Sequence, residues 1–233
     1  MATDLALLGW AAAGPSRLVY RTYEWARPTL SLGRAEPFPE GWDLESIAKS
    51  DLDVVRRPTG GDAVLHDGEL TFAVAASLPG AWGLRPRAFA ERVADAVAEA
   101  LRSLDLRAER AGAASAPPPA RPGDHPCFAR TAPGEVRVGE FKVAGIASRF
   151  TRGGALSHAS VPLTARHRDV ATYRSGGVRD RAALERHARS AAELLGREVG
   201  AARLGDRIAV CLEGGLGVEL READFEDLGI QAP

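Results

Sequence analysis

Cys127 and Lys142 are the residues of this chain whose types best suit covalent chemistry, and they stand 15 positions apart. Cys127 follows Pro126 in a loop ahead of a strand, a place where a thiol is accessible. The thiolate is the reactive form of cysteine, and a nearby ammonium raises its fraction. Lys142 supplies such an ammonium, and a donor to an acyl carbonyl, if the fold brings the two together. One chemistry open to such a pair is acyl transfer through an enzyme thioester, which needs a thiolate, an oxyanion site and an apolar slot. Gly60, Gly61 and Gly145 lack Cβ atoms, so backbone there can lie against an acyl chain and expose amide hydrogens. Arg56 and Arg57 point to opposite faces on a strand, and Arg57, nearer the glycines, is the one expected to face the site.

Each of these residues also has an ordinary reading. A cysteine is commonly a small buried hydrophobe, a lysine a solvated charge, and a glycine pair a hairpin turn. The apolar strand around Lys142 argues against a surface role, whereas Cys211 lies on an apolar helical face and reads as packing. His66 is open between turn residue and site residue. His125 and His158 read as structural, although His125 is close enough in sequence to Cys127 to act as a base. No His/Cys spacing matches a zinc site, so no metal is expected.

The elements that must position these groups are legible in outline. Thr3-Asp4 caps an opening helix. Strands are expected over 17–21, 29–33, 53–57, 136–139, 142–150 and 155–161, with a short helix over 43–50. Residues 63–66 and 70–74 read as two strands joined by the tight Asp67-Gly68 turn, a hairpin signal. Phe89, Val93, Val97 and Leu101 mark a helix over 86–104. Residues 111–125 are rich in Ala, Pro and Gly, with Pro117-Pro118-Pro119 at their centre, and read as a mobile loop delivering the chain to Cys127. Helices over 182–195 and 205–216 and a strand over 218–220 complete an α+β pattern of mainly antiparallel sheets with flanking helices, in a single domain over 1–233.

Composition narrows the class. The chain has 233 residues, 45% hydrophobic and 26% charged, which suits one globular domain with a sizeable core. A formal net charge of -1 gives no field to gather nucleic acid. Two cysteines make no disulfide framework and fit a reducing compartment. The N-terminus lacks a signal-peptide pattern and no apolar run approaches spanning length, so a cytoplasmic protein without membrane contact is expected.

The run Arg56-Arg57-Pro58-Thr59-Gly60-Gly61-Asp62-Ala63-Val64-Leu65-His66-Asp67-Gly68-Glu69-Leu70-Thr71 resembles the signature of the biotin/lipoate protein ligase superfamily. Cys127-Phe128, Glu135-Val136-Arg137-Val138 and Lys142-Val143-Ala144-Gly145 are similar to the cysteine loop and lysine strand of its cysteine-dependent octanoyltransferases. Weaker likeness at 29–33, 190–199 and 216–220 extends the resemblance over most of the chain. It implies a catalytic domain of that α+β type with a tunnel for an octanoyl or lipoyl chain. It implies Cys127 as nucleophile and Lys142 as catalytic lysine, with Arg57, Thr59, Gly60, Gly61, Ala63, His66, Gly145, Ala147 and His158 as substrate-binding positions. It further implies acyl carrier protein as donor and a lipoyl-domain lysine, such as that of the glycine cleavage H protein, as acceptor. Arg137, Arg149, Arg152 and Arg166 are candidates for a basic patch to meet such acidic carriers, against the alternative of a solvated face.

No cofactor is expected, because a thioester donor is already activated. ATP enters only under the alternative of an ATP-dependent lipoate or biotin ligase, and a non-catalytic acyl-binding protein is the third reading. Asp62 beside the glycine turn would repel an acyl-adenylate, which counts against the ligase. Ile146-Ala147-Ser148 and Ser157-His158-Ala159-Ser160 depart from the family pattern and bear on substrate choice.

Overall fold

Side-chain alternation decides how the larger of two sheets is packed. The computed structural model describes residues 1–79, 83–113, 121 and 123–230. In chain order its elements are α1 (Ala2–Ala12), β1 (Leu18–Tyr23), β2 (Thr29–Leu32), α2 (Leu44–Lys49), β3 (Asp53–Arg56), β4 (Val64–His66), β5 (Glu69–Ser77), α3 (Pro86–Arg102), β6 (Ala108–Arg110), β7 (Val136–Val138), β8 (Phe141–Phe150), β9 (Gly154–Pro162), α4 (Gly177–His187), α5 (Ala191–Leu195) and α6 (Ala201–Leu216). Short 3-10 turns at Cys127–Ala129 and Ala165–Tyr173 join them. The larger sheet has the order β1-β5-β9-β8-β7-β6, with neighbours antiparallel. In the smaller, β3-β2-β4, β2 runs parallel to β3 and antiparallel to β4.

Leu70, Phe72, Val74 and Ala76 of β5, with Ala155, Ala159 and Val161 of β9, meet Phe89, Val93 and Val97 of α3 and Leu204, Ile208 and Leu212 of α6. Full burial of a side chain such as Phe72 or Phe89 contributes about 2–3 kcal/mol. The opposite parity, Ala73, Ala75 and Leu156, packs under Leu7, Leu8 and Ala11 of α1. A third cluster ties Leu30, Leu32, Val64 and Leu65 of the small sheet to Phe128, Ala129 and Leu184. Further along β9 the α1-facing parity carries His158 and Ser160, which line the slot described below.

The structure corrects several expectations. Thr3 and Asp4 do not cap α1, whose N-cap is Met1 without a side-chain bond; both lie buried in its first turn. The strands flanking Asp67-Gly68 do not pair as a hairpin: β4 joins β2 and β5 joins β1 and β9, in different sheets. Nearly every residue of both strands is buried, so neither shows the polar alternation of a hairpin with one wet face. Gly68 has φ +69°, and its carbonyl accepts from Leu163 and Thr164, which holds the crossing between sheets. The helix expected over 182–195 is two helices. Ala188 is extended between them, and Ser190 and Glu193 form a capping box that starts α5. Residues 218–220 form no strand, and α6 begins four residues earlier than its pattern suggested. Within the loop over 111–125, residues 114–120 and 122, including Pro117–Pro119, lie outside the described residues.

Candidate active site

The turn Cys127–Ala129 is held where small sheet, α4 and β8 meet. The Cys127 amide donates to the Ala63 carbonyl at 3.0 Å, so the residue after the glycine turn fixes the cysteine backbone. Lys142, 1% exposed, reaches it from β8. Its Nζ donates to the Cys127 carbonyl at 2.8 Å, to Cys127 Sγ at 3.3 Å and to Glu135 Oε1 at 2.6 Å. The ammonium also lies 4.8 Å from the centre of the Phe128 ring. Three donors thus have three acceptors, which is what keeps a buried ammonium charged. Glu135 is itself buried, and its other oxygen accepts from the Ala132 amide at 2.6 Å. A Cβ at Gly145 would stand 3.3 Å from Cys127 Sγ, so the glycine leaves room for the sulfur and what it carries.

Beside this trio runs a slot lined by Cys127, Gly61, Val64, Ile146, Ala147 and Tyr23, among others. It is narrow and encloses about 480 Å³ of empty space including its mouth. Such a shape suits a thin apolar chain more than a bulky ligand. Arg57, not Arg56, faces it. The buried Arg57 guanidinium donates to the Ser31 carbonyl at 2.8 Å, the Gly60 carbonyl at 2.8 Å and the Asp62 carbonyl at 2.8 Å, so it braces the glycine turn from within. Arg56 points away and binds the carbonyls of Gly33 and Glu36. Asp62, whose carboxylate stands 3.4 Å from Arg130, is paired rather than aimed at the slot.

His158 is wedged between Thr59 Oγ1 at 3.1 Å and Asp4 Oδ2 at 3.3 Å. His66 binds Glu69 through Nδ1 and stacks on Trp25 with ring centres 4.3 Å apart. Of the residues expected at the site, Arg57, Gly61, His66, Cys127, Gly145, Ala147 and His158 therefore line one slot with Lys142 beneath it. Thr59, Gly60 and Ala63 act through His158, Arg57 and the Cys127 backbone instead. Of the arginines considered for a basic patch, Arg137 is paired with Glu109 and Arg166 with Asp67. Nothing in the sequence marks Glu135, Asp4 or Glu69 as site residues: Glu135 lies inside the quoted motif without a partner in view, and Asp4 has the place of a helix cap.

Asp4 is fully buried. Burial alone would raise its pKa, but His158, the N-terminal ammonium and Arg21 outweigh it and hold the carboxyl below its usual value. A depressed folded pKa stabilises the fold above the unfolded value and is lost as pH falls through the folded one. Asp4→Asn is expected to lower unfolding free energy by about 2 kcal/mol at pH 7. The deficit should shrink below pH ~4, as urea melts at pH 7 and 3 would show; an equal deficit at both would contradict the ionic role.

Burial also pushes the Cys127 thiol above its ordinary value, against the opposing pull of Lys142. This corrects the expectation that the ammonium leaves a lowered thiol, because Glu135 and burial offset its charge. Cys127 should consequently react slowly with iodoacetamide at pH 7 and faster as pH rises past 9, in a Cys211→Ala background. Glu135→Gln removes the carboxylate that neutralises Lys142 and should speed alkylation at pH 7.5 about tenfold, one pKa unit. An unchanged rate would mean that Lys142 sheds its proton instead.

An α+β domain that sets a buried lysine under a slot walled by a diglycine turn has the build of the biotin/lipoate protein ligase class. Residues 1–212 match the lipoyl protein ligase A/B catalytic domain, and the chain belongs to that family. The octanoyltransferase LipM of Kyrpidia tusciae is 32% identical over 97% of this chain and 85% of its own length, and that of Moorella thermoacetica 34% over 89% and 78%. The match to the octanoyltransferase LipM of Oceanobacillus iheyensis, 34% identical over 70% of this chain, spans only 59% of that protein. Among solved structures, lipoate-protein ligase A bound with ATP superposes with a TM-score of 0.72 at 21% identity, covering 95% of this chain and 83% of the other. A bi-partite lipoate protein ligase of Thermoplasma acidophilum gives 0.71 at 22%, covering 94% and 80%. Those two likenesses establish the fold. No helix among the described residues is long and apolar enough to cross a membrane.

Proposed function

We propose that this chain moves an octanoyl group from acyl carrier protein through a thioester on Cys127 to the lysine of a lipoyl-domain protein. The observation that carries the reading is Cys127 Sγ at 3.3 Å from the buried Lys142 ammonium, on the wall of a narrow slot. The octanoyltransferase relatives support the acyl group, and the free cysteines fit the reducing cytoplasm.

In the first half-reaction the Cys127 sulfur attacks the donor thioester carbonyl. A C–S bond to Cys127 forms, the donor C–S bond breaks, and the donor leaves as a thiol carrying the proton that Cys127 gave up. Lys142 Nζ, fixed by Glu135, donates to the carbonyl oxygen as negative charge builds there. In the second half-reaction the acceptor amine displaces Cys127 and an amide results. A thioester donor brings its own activation, so no ATP enters.

Intact-protein mass spectrometry after mixing with octanoyl acyl carrier protein, without ATP, should show one added octanoyl group that hydroxylamine removes. Cys127→Ala should carry none. No adduct on the wild-type protein would overturn the thioester route, and turnover with ATP and free octanoate or lipoate would then identify a ligase.

A further inference from the structure

Glu36 lies in the turn after β2, where its amide donates to the Gly33 carbonyl at 3.0 Å. It is 2% exposed, a rare place for a carboxylate, and it does not line the slot. Two stretches of backbone that hold Cys127 meet at its side chain. One is the end of the glycine turn. The Ala63 amide faces the Glu36 carboxyl, and the Ala63 carbonyl accepts from the Cys127 amide. The other is the chain entering the cysteine. A Cβ at Gly123 would stand 3.6 Å from Glu36 Oε1 and 2.9 Å from Pro37 Cδ, and Gly123 has φ +87°.

Arg174, packed over the Trp42 ring, ties that second stretch down. Its Nε donates to Asp180 Oδ2 at 2.7 Å, its Nη1 to Glu36 Oε1 at 3.5 Å and its Nη2 to the Gly123 carbonyl. A planar guanidinium pinned by two carboxylates presents its remaining donors in one fixed direction. Glu36 is thus one of two anchors that aim Arg174 at Gly123. Arg179 adds a bond to the next carbonyl, that of Asp124, at 3.3 Å. The carboxyl itself is held unevenly. Oε2 is buried and makes no hydrogen bond among the described residues. Burial and Asp62 raise the Glu36 pKa to about 7, against the pull of Arg174, Arg57 and the Ala63 amide. Asp180 stands on the other side of Arg174, Arg56 donates to the Glu36 carbonyl, and Gly123 brings no charge.

We propose that Glu36 is a positioning residue for Cys127: its carboxylate steadies the Ala63 amide on one side and, through Arg174, the Gly123 carbonyl on the other. The inference rests on the transferase reading for its kinetic consequence and adds to it the group that fixes both supports of the cysteine backbone. Protonation turns the charge-assisted bond to Arg174 into a neutral one, roughly half as strong. The Gly123 carbonyl is loosened with it, and a displacement of about 1 Å at a reacting group can cost 100-fold in rate. Acylation of Cys127 should therefore rise as Glu36 ionises. Its charged fraction grows from about one-tenth at pH 6 to about nine-tenths at pH 8.

The rate of Cys127 acylation by octanoyl acyl carrier protein at pH 6, 7 and 8 tests this, in a Cys211→Ala background. Glu36→Gln keeps the shape and removes the charge. The ratio of the parent rate to the Glu36→Gln rate should grow about tenfold from pH 6 to pH 8. A constant ratio would overturn the role, because a glutamate that only fills space changes the rate by one factor at every pH. Glu36→Asp keeps a carboxylate and should keep the rise; its loss there too would show that shape and not charge matters, and would also overturn the role. A second measurement needs no variant. The Glu36 carboxyl carbon, followed by NMR, should titrate with a midpoint near pH 7, and the Ala63 and Asp124 amides should move with it. A midpoint near pH 4, or amides that stay still, would overturn the coupling. If Cys127 takes up no octanoyl group at all, the transferase reading fails. Alkylation by iodoacetamide then supplies the rates: the same rising ratio supports the positioning role by itself, and a constant one overturns it.

Discussion

Lys142→Met is expected to reduce acyl transfer about 1,000-fold, as the loss of a charged donor and proton carrier at a buried site does. The same substitution should lower stability, because it leaves Glu135 buried without its cation. Breaking one partner of such a pair costs about 3–5 kcal/mol at neutral pH. The pH dependence has a definite sign. Burial raises the Glu135 pKa, with Lys142 opposing; without Lys142 it should rise further. A carboxyl with a raised folded pKa favours the fold below its unfolded value, near pH 4, and that contribution is lost as pH rises through the folded pKa. The Lys142→Met deficit in a urea melt should therefore be largest at pH 7–8 and shrink toward pH 4. Lys142→Met/Glu135→Leu should recover most of the stability and none of the transfer, since it removes the unpaired charge along with the chemistry. A double variant as unstable as the single would show that packing, not charge, is what Lys142 supplies.

Gly33→Ala is expected to cut kcat/KM about 100-fold, although residue 33 does not line the slot. A Cβ there would stand 1.7 Å from the Gly61 carbonyl oxygen, which is inside any contact distance. That carbonyl belongs to the diglycine turn, and Gly61 has φ +88°, a conformation other residues rarely adopt. The turn is further clamped by Arg57 through the Gly60 and Asp62 carbonyls. It therefore yields only by shifting as a unit, and Ala63, which fixes the Cys127 amide, would be dragged with it. A displacement of about 1 Å at a reacting group can cost 100-fold in rate. Overpacking should also destabilise the fold by about 3 kcal/mol. Kinetics at 15 °C together with a thermal melt separate the two effects. Wild-type kcat/KM would show that β2 moves away from the turn instead.

Why did the members of the candidate site read more clearly from the chain than the architecture did? Cys127, Lys142 and the Gly60-Gly61 turn carry their signal in residue type and neighbours, which need no partner to be recognised. Choosing Arg57 over Arg56 needed strand alternation and nearness to the glycines, and Arg57 does face inward. The pairing of β4 and β5 needed more. An Asp-Gly turn between apolar runs looks the same whether the strands pair with each other or part into two sheets, because the choice is made by β2 and by β1 and β9 far away in sequence. Asp4 shows the same limit. At a helix start an aspartate reads as a cap, yet here a histidine 154 positions on and an arginine on β1 claim its carboxylate. The break at 188–190 was legible in Ser190-x-x-Glu193 and was hidden by apolar spacing that ran straight through it.

By itself the sequence determined the α+β class, the lipoyl-ligase family resemblance, the thiol and the lysine, because these rest on local composition, period and motif. Only the tertiary structure decided the electrostatic state of that pair. Glu135, seven residues from Lys142, closes on the ammonium at 2.6 Å and, with burial, holds the Cys127 thiol above its ordinary pKa although Lys142 pulls the other way. Spacing along a chain specifies which groups can meet. Desolvation and the balance of charges around them depend on everything else that packs there, and so appear only once the chain has folded.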